Sequence, residues 1–264
     1  MSAGELTAAT AAIDDEYLYP SEDTEPVGET SHHYLTARVI FDMLEEFLAG
    51  RGHEVSLHAN QFWYWQRGNP AATRAPDVMV IFGVPQAARD SYMSWQHGDV
   101  SPGVIIEVAS QRQGPHLLRE LRDLYERLGV SEYFVFDPRG LASDEPLTGF
   151  RLQSGRYHLI RRSGDGTMTS LQLGVRLRPD GGILRLVNPR TGDPLLTRAE
   201  LAAKYKADAE SKALRVSAIS DQLAITTEEL AAKEQELVAK DAAIAKLMDQ
   251  LRQAGINTAP GGAP

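Results

Sequence analysis

Two carboxylates set in apolar, strand-like runs are the residues of this sequence best suited to chemistry. Asp77 follows Pro76 and opens Val78-Met79-Val80-Ile81-Phe82, and Glu107 lies inside Val104-Ile105-Ile106-Glu107-Val108-Ala109. A carboxylate in such a setting must be paired, protonated or bound to a metal, because a bare buried charge is costly. Two of them on neighbouring strands can meet at one sheet edge. With a backbone carbonyl they would then form the hard oxygen set that Mg²⁺ prefers. Such an ion polarises a phosphodiester and activates water, and hydrolysis also needs a cation near the developing charge. On residue type and spacing alone, a salt-bridged strand glutamate is the competing reading.

The elements that must position this pair follow from periodicity and punctuation. A helix is expected at about 32–50, with Leu35, Val39, Phe41, Met43, Leu44 and Phe47 mostly on one face, Ser31 as N-cap and Gly50 as stop. Residues 53–66 alternate and are rich in aromatics, so they read as strands, broken by the turn Arg67-Gly68-Asn69-Pro70. Residues 76–82 and 103–109 are further strands, the latter apolar nearly throughout and hence central. Pro115 to Leu128 is a helix opened by proline and stopped by Gly129, and 130–136 is a strand. Strand, helix, strand at this spacing suits a right-handed crossover onto a mixed sheet. Residues 147–187 alternate short strands with Gly-containing turns and read as antiparallel hairpins attached to that sheet. The aromatic run Phe62-Trp63-Tyr64-Trp65 is read as hairpin packing rather than as a platform for stacking bases.

Charge and composition limit the function classes. The chain has 264 residues, 42% of them apolar, no cysteine and a net charge of −9. That is enough apolar matter for a sizeable core. The missing cysteine excludes disulfides, thiolate metal sites and thiol nucleophiles. Residues 1–30 hold eight acids and no Lys or Arg, so they read as an acidic, mobile leader and the rest of the chain is nearly neutral. DNA contact would therefore need a local basic surface. All six lysines lie at or after position 204, so no mechanism can use a lysine from residues 1–203. No signal peptide or membrane span is apparent, and a bacterial-type cytoplasmic protein is expected.

From about residue 198 the composition turns to Ala, Lys, Glu, Asp and Leu. Leu223, Leu230, Leu237, Ile244 and Leu251 recur every seven residues, with Ile219, Thr226, Lys233, Lys240 and Leu247 four residues before each. This is a heptad helix with a polar middle. Two readings stand: a coiled coil making a homo-oligomer through residues 205–252, and a solvated single helix. Residues 255–264 read as a flexible tail.

Several segments stand together in a recognisable order: GETSHH (28–33), RAPDVMVIFGVP (74–85), SYMSW (91–95), VIIEVAS (104–110), LYERLGVSEYFVFDPRG (124–140), LTGFRL (147–152) and QLRQAGI (250–256). In this the chain resembles the Uma-type family of restriction-endonuclease-like proteins, with a PD-(D/E)XK nuclease-like fold, over about residues 17–198. The resemblance implies an α/β domain spanning 31–198, with a mixed β-sheet flanked by helices and a β-hairpin extension, followed by a long charged helix over 199–254. It implies metal-dependent hydrolysis of DNA with Mg²⁺ as cofactor. Asp77 matches the aspartate of the family's PD motif and Glu107 the glutamate of its EV.S motif, the two expected metal ligands. Glu29 and His33 match an acidic residue and a histidine near the first helix. The glutamate is expected to assist, while the histidine is read as a partly buried helix-start residue.

The sequence departs from the family where its lysine should be. Counting back from Tyr125, the family's aspartate falls at Leu117 and its lysine at Leu121, and the position two after Glu107 is Ala109. A charged helix face has become an apolar one. Arg112, in the preceding loop, is the arginine free to substitute for the lysine, whereas Arg119 and Arg122 point away by helical geometry. Arginine handles protons poorly near an attacking water. Two functions are therefore expected: a Mg²⁺-dependent deoxyribonuclease using Asp77, Glu107, Glu29 and Arg112, or a catalytically impaired module that assembles, or binds DNA or a partner, without cutting.

Overall fold

A computed structural model describes residues 19–20, 30–49, 54–111 and 114–255. Glu29, Arg112, the tail from residue 256, and the acidic leader apart from Tyr19, Pro20 and Thr30 lie outside the described residues. In chain order the elements are helix α1 (Ser31–Ala49) and strands β1 (Val55–His58), β2 (Trp63–Tyr64), β3 (Thr73–Arg74), β4 (Val78–Phe82), β5 (Tyr92–Met93) and β6 (Val104–Val108). Then come helix α2 (Pro115–Arg127), strands β7 (Glu132–Phe136), β8 (Leu147–Gln153), β9 (Arg156–Leu159), β10 (Met168–Ser170), β11 (Val175–Asp180) and β12 (Ile183–Val187), and helix α3 (Arg198–Gln253).

The main sheet has six strands in the order β1-β4-β6-β7-β8-β9. Only β6 and β7 pair in parallel, and α2 supplies the crossover that a parallel pair requires. Every residue of β6 is buried, as its unbroken apolar run predicts for a central strand. Strand alternation divides its side chains between two cores. Val104, Ile106 and Val108 pack with Ile40, Met43 and Leu44 of α1, whereas Ile105 packs with Leu118, Leu121 and Tyr125 of α2. The fold is thus the expected mixed α/β sheet flanked by helices.

Three local expectations are corrected. The N-cap of α1 is Thr30, whose hydroxyl accepts from the His33 backbone N–H at 3.3 Å, and Ser31 is already helical. Of the hairpins in 147–187, only β8 and β9 extend the main sheet; β10, β11 and β12 form a separate antiparallel sheet whose Met168, Val175, Leu177, Leu184 and Leu186 complete the α1 core. A small sheet in the order β3-β2-β5, with β2 and β5 parallel, was not legible from alternation because its strands are only two residues long. Trp63 and Tyr64 are buried in it, and Trp63 Nε1 donates to Ser94 Oγ at 2.8 Å, so the aromatic run is core packing. Tyr19 packs edge-on against Tyr64 at 5.1 Å.

Glu132 ties the second sheet to the first. Its carboxylate, 1% exposed, accepts from the Ser170 hydroxyl, from the Leu171 N–H at 3.0 Å and from Arg151 Nε at 2.8 Å. The start of α3 is fixed by a capping box: Glu200 N–H donates to Thr197 Oγ1 at 3.2 Å, and Thr197 N–H donates to Glu200 Oε2 at 2.9 Å. Arg185 adds a two-pronged bond to the same Glu200, which holds its carboxyl down at about 2. Residues through Leu201 make one compact unit, and the chain from Ala202 makes a second, in which no residue of α3 is buried. Among the described residues no helix is long and apolar enough to cross a membrane.

His58 on β1 gives the fold a pH dependence. It is buried beside Tyr92, and burial, with Arg89 second, pulls its pKa down to about 4. The unfolded side chain titrates near ~6.5. The unfolded chain therefore takes up the proton first, and the stability present above that value is lost as pH falls toward 4. Thermal melts between pH 7 and 4 should show this decline, and His58→Leu should flatten it.

Candidate active site

The pairing of β4 with β6 brings the two carboxylates together. Val78 stands opposite Ile106 in antiparallel register. Continuing that register by one residue sets Asp77 against Glu107, and the Asp77 N–H lies 3.4 Å from Glu107 Oε2. Both side chains are almost fully enclosed, at 4% and 3% exposure.

Each carboxylate is held by groups from other elements. Asp77 Oδ2 accepts the Val108 N–H at 2.7 Å and lies 3.0 Å from Nε2 of His33, in the first turn of α1. Glu107 Oε1 accepts the Tyr125 hydroxyl at 2.9 Å. Burial, and then the neighbouring Asp77 charge, push the Glu107 carboxyl well above the usual carboxylate range, and the Tyr125 bond offsets this only in part. Tyr125 is itself pushed up, by burial and then by Glu107. The arrangement thus favours a protonated Glu107 beside Asp77.

Leu117 and Leu121, where the family aspartate and lysine were expected, lie against the second apolar core. Leu121, one helical turn before Tyr125, is 5% exposed and packs with Leu118, Ile105 and Tyr133, and Leu117 is half-buried against the same cluster. Arg119 is exposed, and Arg122 bonds Asp123 at 2.7 Å and lies over Phe150, so neither bonds to Asp77 or Glu107. Of the expected site residues, Asp77 and Glu107 are brought together, while Glu29 and Arg112 lie outside the described residues.

Two contributors were not assigned a role from sequence. His33, read as structural, bonds Asp77; its match to a family histidine was the available signal. Tyr125 served only to align the helix, yet it is the hydroxyl that holds Glu107; its place four residues after Leu121 put it on the same face. Asp137, also buried, accepts the N–H groups of Leu141, Ala142 and Ser143 and so is spent on its own loop.

Residues 16–179 match Uma2, a family described as "Putative restriction endonuclease". The chain belongs to the Uma2 family. A crystal structure from Anabaena variabilis, described as a putative nuclease belonging to DUF820, is similar to this Uma2 protein at 13% identity and a TM-score of 0.41, over 56% of this chain and 76% of that one. No curated protein matches the chain.

Restriction-endonuclease-like proteins generally use a divalent metal, and the donor set can be tested against one. Asp77 Oδ2 is engaged by two partners and Glu107 Oε1 by one, while Glu107 Oε2 faces a backbone N–H. Among the described residues no group of three or more His, Asp or Glu side chains could hold an ion. The described residues do not fit a magnesium ion.

Paired substitutions check this arrangement. Tyr125→Phe leaves a buried carboxyl oxygen without its donor and should cost about 1–3 kcal/mol in chemical denaturation. Glu107→Gln keeps an acceptor for Tyr125 but removes a carboxyl that gains a proton on folding. Ionising Glu107 makes the wild type less stable as pH rises past the unfolded value of about 4.3. The glutamine variant should therefore match or exceed the wild-type melting temperature at neutral pH.

Proposed function

We propose that this Uma2 protein is a nuclease-fold module that assembles and binds without hydrolysing phosphodiesters. The observation that carries this reading is the buried Leu121, packed beside Tyr125 on the helix face that covers Glu107. Hydrolysis needs a metal held by open carboxylate oxygens and a cation near the attacking water. Here the carboxylates are hydrogen-bonded inward, and leucine stands at the lysine position. Helix α3, exposed along its length, is the assembling element in this reading, and the cytoplasm is its place of action.

A second reading keeps the family's chemistry. Its support is the direct opposition of Asp77 and Glu107, a close carboxyl pair with a raised Glu107 of the kind that marks functional sites. In it the pair would hold Mg²⁺, Glu29 would assist, and Arg112 would stand in for lysine on a DNA substrate.

Supercoiled DNA separates the two. With Mg²⁺ or Mn²⁺ the protein should give no nicking above that of Asp77→Ala, and titration calorimetry should show no Mn²⁺ binding. Metal-dependent nicking that Asp77→Ala abolishes would overturn the non-hydrolytic reading.

A further inference from the structure

Helix α3 carries two stripes of unequal character. Leu223, Leu230, Leu237, Ile244 and Leu251 form the stronger one, all solvent-facing at 38–65% exposure. Ile219, Thr226, Lys233, Lys240 and Leu247 form the weaker one, with its lysines in the middle. A helix gains little stability in water from its own hydrogen bonds, and a seven-residue apolar repeat is the seam of a coiled coil. The question the residues can answer is which way the second helix runs.

In a parallel, in-register pair each stripe meets its own copy. Lys233 would face Lys233 and Lys240 would face Lys240, two layers of like charge with only the Leu237 layer between them. In an antiparallel pair the strong stripe of one helix meets the weak stripe of the other. The heptad spacing then allows one register that covers all five strong residues. Leu223 meets Leu247 of the second copy, Leu230 meets Lys240, Leu237 meets Lys233, Ile244 meets Thr226 and Leu251 meets Ile219, with the crossing at Gln235. Each lysine lays its methylenes across a leucine and extends its ammonium to the border of the seam. That border is acidic in this stretch: Glu229, Glu234, Glu236 and Asp241 flank the seam. Lys240 already bonds Glu236 of its own helix at 2.5 Å.

We infer that α3 joins two copies of this chain as an antiparallel two-stranded coil crossing at Gln235. The inference rests on α3 being the assembling element and adds its orientation and register.

The chain has no cysteine, so single cysteines at Asp221, Gln235 and Asp249, all on the outer face, can carry spin labels in the full-length protein. Labels at 235 should lie within about 25 Å of each other, from an interhelix spacing of roughly 10 Å plus the label arms. Labels at 221 and at 249 should each be about 42 Å apart or more, from a rise of ~1.5 Å per residue. Short distances at all three positions would mean a parallel pair; they would overturn the orientation and leave the assembling role standing. A minimum at 221 or 249 would overturn the register. A monomer in sedimentation velocity, with no label distance at any position, would overturn both the orientation and the assembling role.

Discussion

A carboxyl group placed near the end of a central, fully covered strand needs a partner, and much of this molecule is organised by that need. Glu107 is the one charged residue in the buried run of β6, next to its last residue, and its neighbours on both sides are apolar. Its oxygens are met by the Tyr125 hydroxyl from α2 and the Asp77 N–H from the start of β4. Asp77 in turn fixes the end of β6 through the Val108 N–H and draws in His33 from α1. One chain of polar contacts thus runs from α1 through two strands to α2, crossing between the two apolar cores. Glu132 does the same one strand over, with Arg151 and the Ser170 turn as its partners. Buried acids satisfied in this way set register as well as stability, since slipping either strand by one residue would strand a carboxyl in hydrocarbon.

The parts of this design that were legible in the sequence are those written in local patterns. The apolar run around Glu107, Pro115 and Gly129 around α2, and the heptads of α3 each follow from one element and its ends. The opposition of Asp77 and Glu107 was legible too, because two strand-borne carboxylates have few places to go. What escaped the sequence depends on contacts between distant segments. β10, β11 and β12 form a sheet of their own, joined to the main sheet by Glu132 reaching across to Ser170, a long-range contact that no hairpin pattern encodes. The shift of the α1 cap from Ser31 to Thr30 is a choice between two adjacent hydroxyls of similar capping strength. The role of Tyr125 was hidden because a tyrosine on an apolar helix face looks like packing until its hydroxyl finds Glu107.

The carboxylate pair and the helix face beside it differ in character. Asp77 and Glu107 meet at the start of β4 and near the end of β6, while the face of α2 that carries Tyr125 is otherwise apolar, with Leu118 and Leu121 in the same core. A leucine on such a face carries no desolvation cost and adds buried apolar area, which favours the packed scaffold.

The packing of that face has a consequence for any charge placed on it. A lysine at 121 would set an ammonium among Leu118, Ile105 and Tyr133, and an aspartate at 117 would set a carboxylate against the same apolar cluster. Either single step weakens the fold. The two leucines therefore act as a ratchet: with the face packed, charge is hard to introduce there one residue at a time.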